Sequence, residues 1–214
     1  MEPDVVVVAS GPGPSVAVPA AETVVAADGG LDRALALGLE VDVVIGDLDS
    51  VSPAALDAAR TAGARVVRHP EAKDATDLEL ALDEAVSLRA RGVLVVASVE
   101  GRLDHLLALL LLLGSERYAG LEIDAVVGDA LVHVVRGERT LAGTPGELVS
   151  LLAIGGAATG VATEGLEYTL GGETLEPGTS RGVSNVFTGA EARIAVGDGV
   201  VLAVRPDPEG HSSW

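Results

Sequence analysis

Cysteine is absent from the 214 residues, which excludes disulfides, thiolate metal sites and cysteine nucleophiles. Aromatic residues make up 2% of the chain, so a core drawn from its 48% hydrophobic fraction must be built from Val, Leu and Ala. Basic residues are scarce: 14 Lys and Arg against 32 Asp and Glu leave a formal net charge of −18. A general binder of nucleic acid needs cations for the phosphate backbone, so that class is excluded. A solvated acidic surface accounts for most of this charge, and carboxylates carry a function only where they cluster at motif spacing. Long apolar runs are also missing. The longest, 106–113, falls far short of the roughly 20 residues that span a bilayer, and it predicts a fully buried helix. The opening MEPDVVVVAS has neither the basic start nor the small-residue cleavage site of a secretory signal. The expectation is a cytoplasmic protein with no membrane partner. No G-x-x-x-x-G-K-[ST] phosphate loop occurs. The glycine-rich stretch at 11–15 contains two prolines and reads as a connector.

What is present is alternation. Residues 5–9, 23–27, 41–45, 65–68, 93–97 and 123–127 read as short strands, and 31–37, 52–62, 74–88 and 103–113 as helices. Ser52-Pro53 supplies an N-cap followed by proline at the first helical position. Leu78, Leu82, Ala85 and Val86 recur at helical spacing. Unbroken runs such as VVVV and VLVVA suit strands buried on both sides. The alternation predicts a mostly parallel sheet with helices on both faces. Near Gly137 the pattern changes. Short strand candidates at 148–154, 160–163, 185–188, 192–196 and 200–204 are closely punctuated by Gly and Pro, which predicts a small antiparallel β-sandwich or barrel. The expected organisation is an α/β catalytic domain over 1–136 and a β-sandwich domain over 137–214, ending in a polar, mobile tail from residue 206.

In a parallel α/β sheet, ligands bind at the carboxyl ends of the strands. Acidic residues fall at such places in four loops: Asp28, then Asp47 and Asp49, then Asp74 and Asp77, then Asp104. Each has a plain structural alternative. Asp28-Gly29-Gly30 also suits a turn before a helix, and Asp47 with Asp49 suits a loop of Asx-turns. Asp74 and Asp77 also suit the first turn of a helix, where the dipole favours carboxylates. Gathered at one sheet edge, these groups would repel one another unless some are protonated or a cation lies among them. Oxygen ligands without a His or Cys cluster select Mg²⁺ over zinc, and Mg²⁺ shares its shell with phosphates. The spacing therefore points to a magnesium–polyphosphate site.

Across 26–204 the chain resembles the thiamine pyrophosphokinase family. The strings that carry the resemblance are ADGG (27–30), GDLDS (46–50), KDATDLE (73–79), GRLDH (101–105), TEGLEYTL (163–170) and SRGVSN (180–185). The family commonly has Phe where Leu48 stands and glycine where Glu100 stands. The resemblance implies an α/β nucleotide-binding domain followed by a β-sandwich that binds thiamine. It implies a homodimer with the site shared between subunits, Mg²⁺ as cofactor, and ATP and thiamine as substrates. It further implies that Asp47, Asp49, Asp77 and Asp104 hold magnesium and polyphosphate. Asp28, Gly29, Asp74, Thr76, Arg102 and His105 would contact nucleotide or phosphate, Arg102 with a catalytic part in stabilising transferred charge. Tyr168 would stack on the thiamine pyrimidine, with Ser184 and Asn185 as its polar readers.

The implied reaction is attack of the thiamine hydroxyl on the β-phosphorus of ATP, with AMP as leaving group. Such transfers depend on positioning and charge neutralisation. The acceptor's positive thiazolium suits an acidic pocket. Two alternatives remain at this stage: a diphosphokinase for another heterocyclic alcohol such as a hydroxymethylpterin, and a non-catalytic sensor of thiamine or nucleotide. The SRGVSN and EGLEY strings favour thiamine over the pterin, and the complete carboxylate set favours an enzyme over a sensor. Which carboxylate takes the hydroxyl proton is left open by the sequence.

Overall fold

The computed structural model describes residues 2–14 and 17–208. Ser15 and most of the expected tail, 209–214, lie outside the described residues. The chain divides into two compact units. One runs through Leu112 and resumes over Gly120–Gly128; the other takes Leu113–Ala119 and the chain from Asp129 onward.

The first unit is built on six parallel strands. These are β1 (Val5–Val8), β2 (Thr23–Ala27), β3 (Val43–Gly46), β4 (Arg65–Arg68), β5 (Gly92–Ala97) and β6 (Glu122–Val127), in the order β6-β5-β1-β2-β3-β4. Every residue of β1, β3 and β5 is buried. This is the reason these segments carry unbroken Val, Leu and Ile: both faces of the sheet are covered. Helices α1 (Gly30–Ala36) and α2 (Pro53–Ala62) close over Ala26 and Val44 through Leu31, Ala55 and Ala59. Helix α3 (Asp77–Ser87) lies across β1, β2 and β3. Local chemistry sets the helix ends. The Ser52 hydroxyl accepts from Ala55 N–H at 3.2 Å, Pro53 opens α2, and left-handed Gly63 closes it. Asp32 of α1 accepts from both the hydroxyl and the N–H of Ser52, tying the two helices together. Helix α3 starts three residues later than expected. Thr76 is its N-cap, accepting from Glu79 N–H at 3.2 Å, so Asp74 lies in the preceding loop.

Helix α4 (Leu103–Leu113) is where the sequence expectation fails. Leu109 and Leu113 are buried, but Leu103, Leu107 and Leu111 are 68%, 52% and 62% exposed. A helix turns by 3.6 residues, so one stripe of an all-leucine segment can face the sheet while the opposite stripe cannot. The composition of the run hid this geometry.

The second unit holds β7 (Ala130–Val135), β8 (Glu138–Ala142), β9 (Leu148–Ala153), β10 (Ala158–Glu164), β11 (Gly171–Leu175), β12 (Asn185–Val186), β13 (Glu191–Ala195) and β14 (Val201–Arg205). Their pairings are antiparallel, in two four-stranded arrays ordered β12-β9-β14-β7 and β11-β10-β13-β8. Side chains from both arrays, among them Leu141, Val149, Leu151, Val161, Ile194 and Val201, meet around Phe187 in one core. This is the expected β-sandwich. Strands β7, β8 and β11 were not expected from the sequence. Among the described residues, no helix of the chain is long and apolar enough to cross a membrane.

Candidate active site

The chain fills one side of the parallel sheet through β4 and then crosses to β5 and β6 on the other side of β1. The reversal leaves a crevice beyond the carboxyl ends of β1 and β5, the place where such sheets bind ligands. A cavity of about 560 Å³ opens there, lined by Ser10 and Gly11 after β1, Asp28 after β2, Asp47 after β3, and Ser98 and Glu100 after β5. Lys73, Thr76, Asp77, Arg102 and His105 complete its polar wall. Its size is that of a small-molecule site, roughly 300–1,000 Å³.

Backbone strain aims the carboxylates. Asp28 and Leu48 both have left-handed backbones, with φ of 47° and 65°, a conformation that costs a non-glycine residue about 1–3 kcal/mol. At Leu48 the turn sends the leucine into the core with Ala26, Leu31 and Val44 and leaves the flanking Asp47 and Asp49 facing outward. The strain is thus offset by a buried leucine, and Leu48 fills the core place where the family commonly has Phe. Gly46 has φ of 147°, and a Cβ there would lie 2.9 Å from Asp77 Oδ1 and 3.1 Å from Asp28 Cβ. Only glycine lets these two aspartates close over the end of β3.

Asp28, Asp47 and Asp49 each bring a carboxylate oxygen within 4.8 Å of the others. Asp77 belongs beside them. Lys73 Nζ donates a hydrogen bond to Asp47 Oδ2 at 2.9 Å and lies 3.0 Å from Asp77 Oδ1. The Lys73 hydrogen bond holds the Asp47 carboxyl below its ordinary range. Burial pushes Asp77 up, and the lysine offsets this only in part, with the charges of Asp47 and Asp28 adding to the rise. Burial works against the Lys73 ammonium as well, but its two carboxylate partners outweigh it and its pKa rises. Asp28 Oδ1 is buried with no hydrogen-bond partner, and Asp77 Oδ1 is buried with the Lys73 ammonium beside it. Buried acceptors are normally satisfied. An orphaned Asp28 oxygen beside the carboxylates of Asp47, Asp49 and Asp77 is a donor set that fits a hard divalent cation.

The other expected residues divide. Asp104 is not in this cluster; Asp28 stands there instead. Asp104 accepts from Arg102 through both oxygens, at 3.1 and 2.5 Å, and this bidentate bond holds its carboxyl down at about 2. The pair sits at the start of α4, two residues apart, and both side chains are exposed. Thr76 lines the cavity but uses its hydroxyl to cap α3. Asp49, Asp74 and Gly29 do not line the cavity wall. Glu100 does, and its N–H is held by the Ser98 hydroxyl at 2.9 Å.

Sequence reading missed two cations. Lys73 was part of a quoted string but had no role assigned. Arg33, buried in α1, donates to the carbonyls of Ala9, Val96 and Ala97 at 3.2, 3.5 and 3.2 Å. It therefore clamps the ends of β1 and β5 together beneath the crevice, and burial lowers its pKa. No sequence signal marks a residue that bonds to carbonyls of distant strands.

In the second unit, Tyr168, Ser184 and Asn185 are neighbours by backbone contact. Asn185 Oδ1 accepts from Tyr168 N–H at 3.0 Å and from Val186 N–H at 2.9 Å, while its Nδ2 donates to Tyr168 carbonyl at 2.8 Å. Asn185 is 2% exposed. Its amide holds the Tyr168 backbone, a use that the resemblance did not imply. Tyr168 is 62% exposed, which removes a core role for its ring. Ser184 is exposed, with a left-handed backbone and its N–H on the Ser150 hydroxyl.

The sequence matches two family models in tandem: the catalytic domain of thiamin pyrophosphokinase over residues 16–127 and its vitamin B1 binding domain over 132–201. The first alone covers more than half of the chain. The chain belongs to the thiamin pyrophosphokinase family. It carries that family's activity, transfer of a diphosphoryl group from ATP to thiamine. Solved structures agree with the fold. A thiamine pyrophosphokinase from Bacillus subtilis superposes with a TM-score of 0.80 at 19% identity, over 95% of this chain and 99% of that one. A thiamin pyrophosphokinase family protein from Enterococcus faecalis gives 0.80 at 23% identity, over 94% and 97%. The yeast thiamin pyrophosphokinase gives 0.70 at 17%, over 95% and 86%. Comparison with curated protein sequences yields no match.

Proposed function

We propose that Asp28, Asp47, Asp49 and Asp77 hold Mg²⁺ and, through it, the polyphosphate of ATP, while Tyr168 stacks on thiamine. The observation that carries this reading is the gathering of Asp28, Asp47 and Asp49 at the carboxyl ends of β2 and β3, with Asp77 alongside and Asp28 Oδ1 buried and unpartnered. A magnesium ion held by these carboxylates would neutralise phosphate charge and offset its repulsion from the acidic wall. The chain's own residues position the reaction. The clamped ends of β1 and β5 fix the floor of the crevice through Arg33. Arg102, oriented by Asp104, presents its guanidinium to the transferred group, and His105 and Thr76 flank it. The thiamine oxygen forms a bond to the β-phosphorus, the bond from that phosphorus to the oxygen bridging it to the α-phosphate breaks, and AMP leaves with that oxygen and the electron pair. The hydroxyl proton passes to a carboxylate of the cluster. Asn185 holds the Tyr168 backbone and so sets where its ring stands, with Ser184 at the adjacent turn.

The same reading includes a division of labour between the nucleotide-binding, catalytic part, 1–136, and a thiamine-binding part, 137–214. It also includes a cytoplasmic location, where ATP is available, and a homodimer in which a second copy covers the leucine stripe of α4. The metal reading is tested by assaying the chain in EDTA and after Mg²⁺ or Mn²⁺ is restored. Activity should vanish and return. Asp47→Asn and Asp77→Asn should each lower turnover by about 100-fold or more, the scale of a lost transition-state contact, with the fold intact by circular dichroism. Full turnover in the metal-free sample rejects the reading.

A further inference from the structure

Of the chain's 14 basic residues, only Lys73 is a lysine; all the others are arginine. That one lysine stands between two carboxylates of the acidic cluster, 2.9 Å from Asp47 Oδ2 and 3.0 Å from Asp77 Oδ1, with its side chain 14% exposed. The two residue types are not equivalent. A guanidinium is a broad planar fork, whereas an ammonium is a compact point charge on a flexible four-carbon stem. The ammonium is the closer of the two in size to a small cation, and its flexible stem lets that charge leave one seat for another. Without a cation near them, Asp28, Asp47, Asp49 and Asp77 would face one another uncompensated.

We propose that Lys73 is an internal counter-cation: it neutralises Asp47 and Asp77 in the metal-free protein and is displaced when a divalent cation binds there. The proposal rests on the metal reading above and adds to it a competition inside the chain. The oxygens that Lys73 contacts belong to the same carboxylates that would bind the metal. One of them, Asp77 Oδ1, lies 3.0 Å from the ammonium, so that a divalent cation and Lys73 would compete for the same oxygen. The competition prevents the cluster from standing bare between turnovers and weakens the metal alone. The displaced ammonium stays on the cavity wall, where an anionic ligand would find it.

The single lysine makes the test specific, because the α-amino group is the only other amine for an acylating reagent. The unmutated full-length chain is treated with acetic anhydride in EDTA and in saturating MgCl₂, without nucleotide, and acylation of the peptide containing Lys73 is followed by mass spectrometry against the α-amine. Magnesium should speed acylation of Lys73 several-fold relative to the α-amine. In parallel, calorimetric titration should show Lys73→Met binding Mg²⁺ about tenfold more tightly than the unmutated chain, the effect of removing one competing charge within contact distance. The two readouts are independent, so a variant that does not fold leaves the acylation result to decide. Magnesium binding with Lys73 still shielded, or with an affinity unchanged or weakened in Lys73→Met, overturns the proposal and leaves the metal reading standing. An unmutated chain that takes up no magnesium overturns both.

Discussion

Tyr168 exposes a large ring in a chain that has few aromatics. An exposed tyrosine contributes little to the core, yet Asn185 spends its whole amide on fixing that residue's backbone. Fixing a backbone whose side chain is in solvent is sensible when the ring must be in place before a ligand arrives. Stacking and cation–π contacts are worth about 0.5–2 kcal/mol. Tyr168→Ala should therefore raise the thiamine KM several-fold with the ATP KM nearly unchanged, and Tyr168→Phe should be mild because stacking needs the ring. The melting temperature should not move in either variant. A loss of stability with thiamine binding intact would show that the ring is structural. At this scale the sequence showed which types of residue meet, but not how each is used. The GDLDS and KDATD strings announced carboxylates. They did not announce that Lys73 lies between them, because its bond to Asp47 depends on where loops after different strands come to rest. The bonds between Asn185 and the Tyr168 backbone were hidden for the same reason, since the two residues lie 17 positions apart in sequence.

At the scale of elements, periodicity was the dependable guide and composition the poor one. The valine-rich strands of the first unit were legible because burial on both faces forces an apolar residue at every position. Strands β8 and β11, ERTLA and GGETL, carry charge and glycine on their outer positions, so nothing in them resembles a buried strand until their neighbours are known. Helix α4 shows the converse. Eight apolar residues in a row suggested complete burial, and the turn of the helix leaves Leu103, Leu107 and Leu111 facing out at intervals of four. Such a stripe is costly to expose and typical of a surface that meets a partner. Leu107→Glu should shift sedimentation from a dimer to a monomer while leaving the far-ultraviolet spectrum unchanged. If the unmutated chain already sediments as a monomer at assay concentration and is active, the homodimer is wrong.

At the scale of the whole molecule, the net charge of −18 opposes binding of ATP and favours binding of a cationic acceptor. Among the described residues, Lys73, Arg33 and Arg102 are placed at or beneath the crevice, and each is already paired, Lys73 and Arg102 with carboxylates and Arg33 with backbone carbonyls. On the proposed metal reading a divalent ion makes up the balance of charge, which would link the acidic composition to the chemistry of the site. The central claim is transfer to thiamine, and the most direct test is to follow both products in one reaction by phosphorus NMR or ion-pair chromatography. With ATP, Mg²⁺ and thiamine, AMP and thiamine diphosphate should accumulate in equal amounts, and AMP formation should cease when thiamine is withheld. AMP released at the same rate without thiamine, or a hydroxymethylpterin accepted while thiamine is refused, would contradict the account.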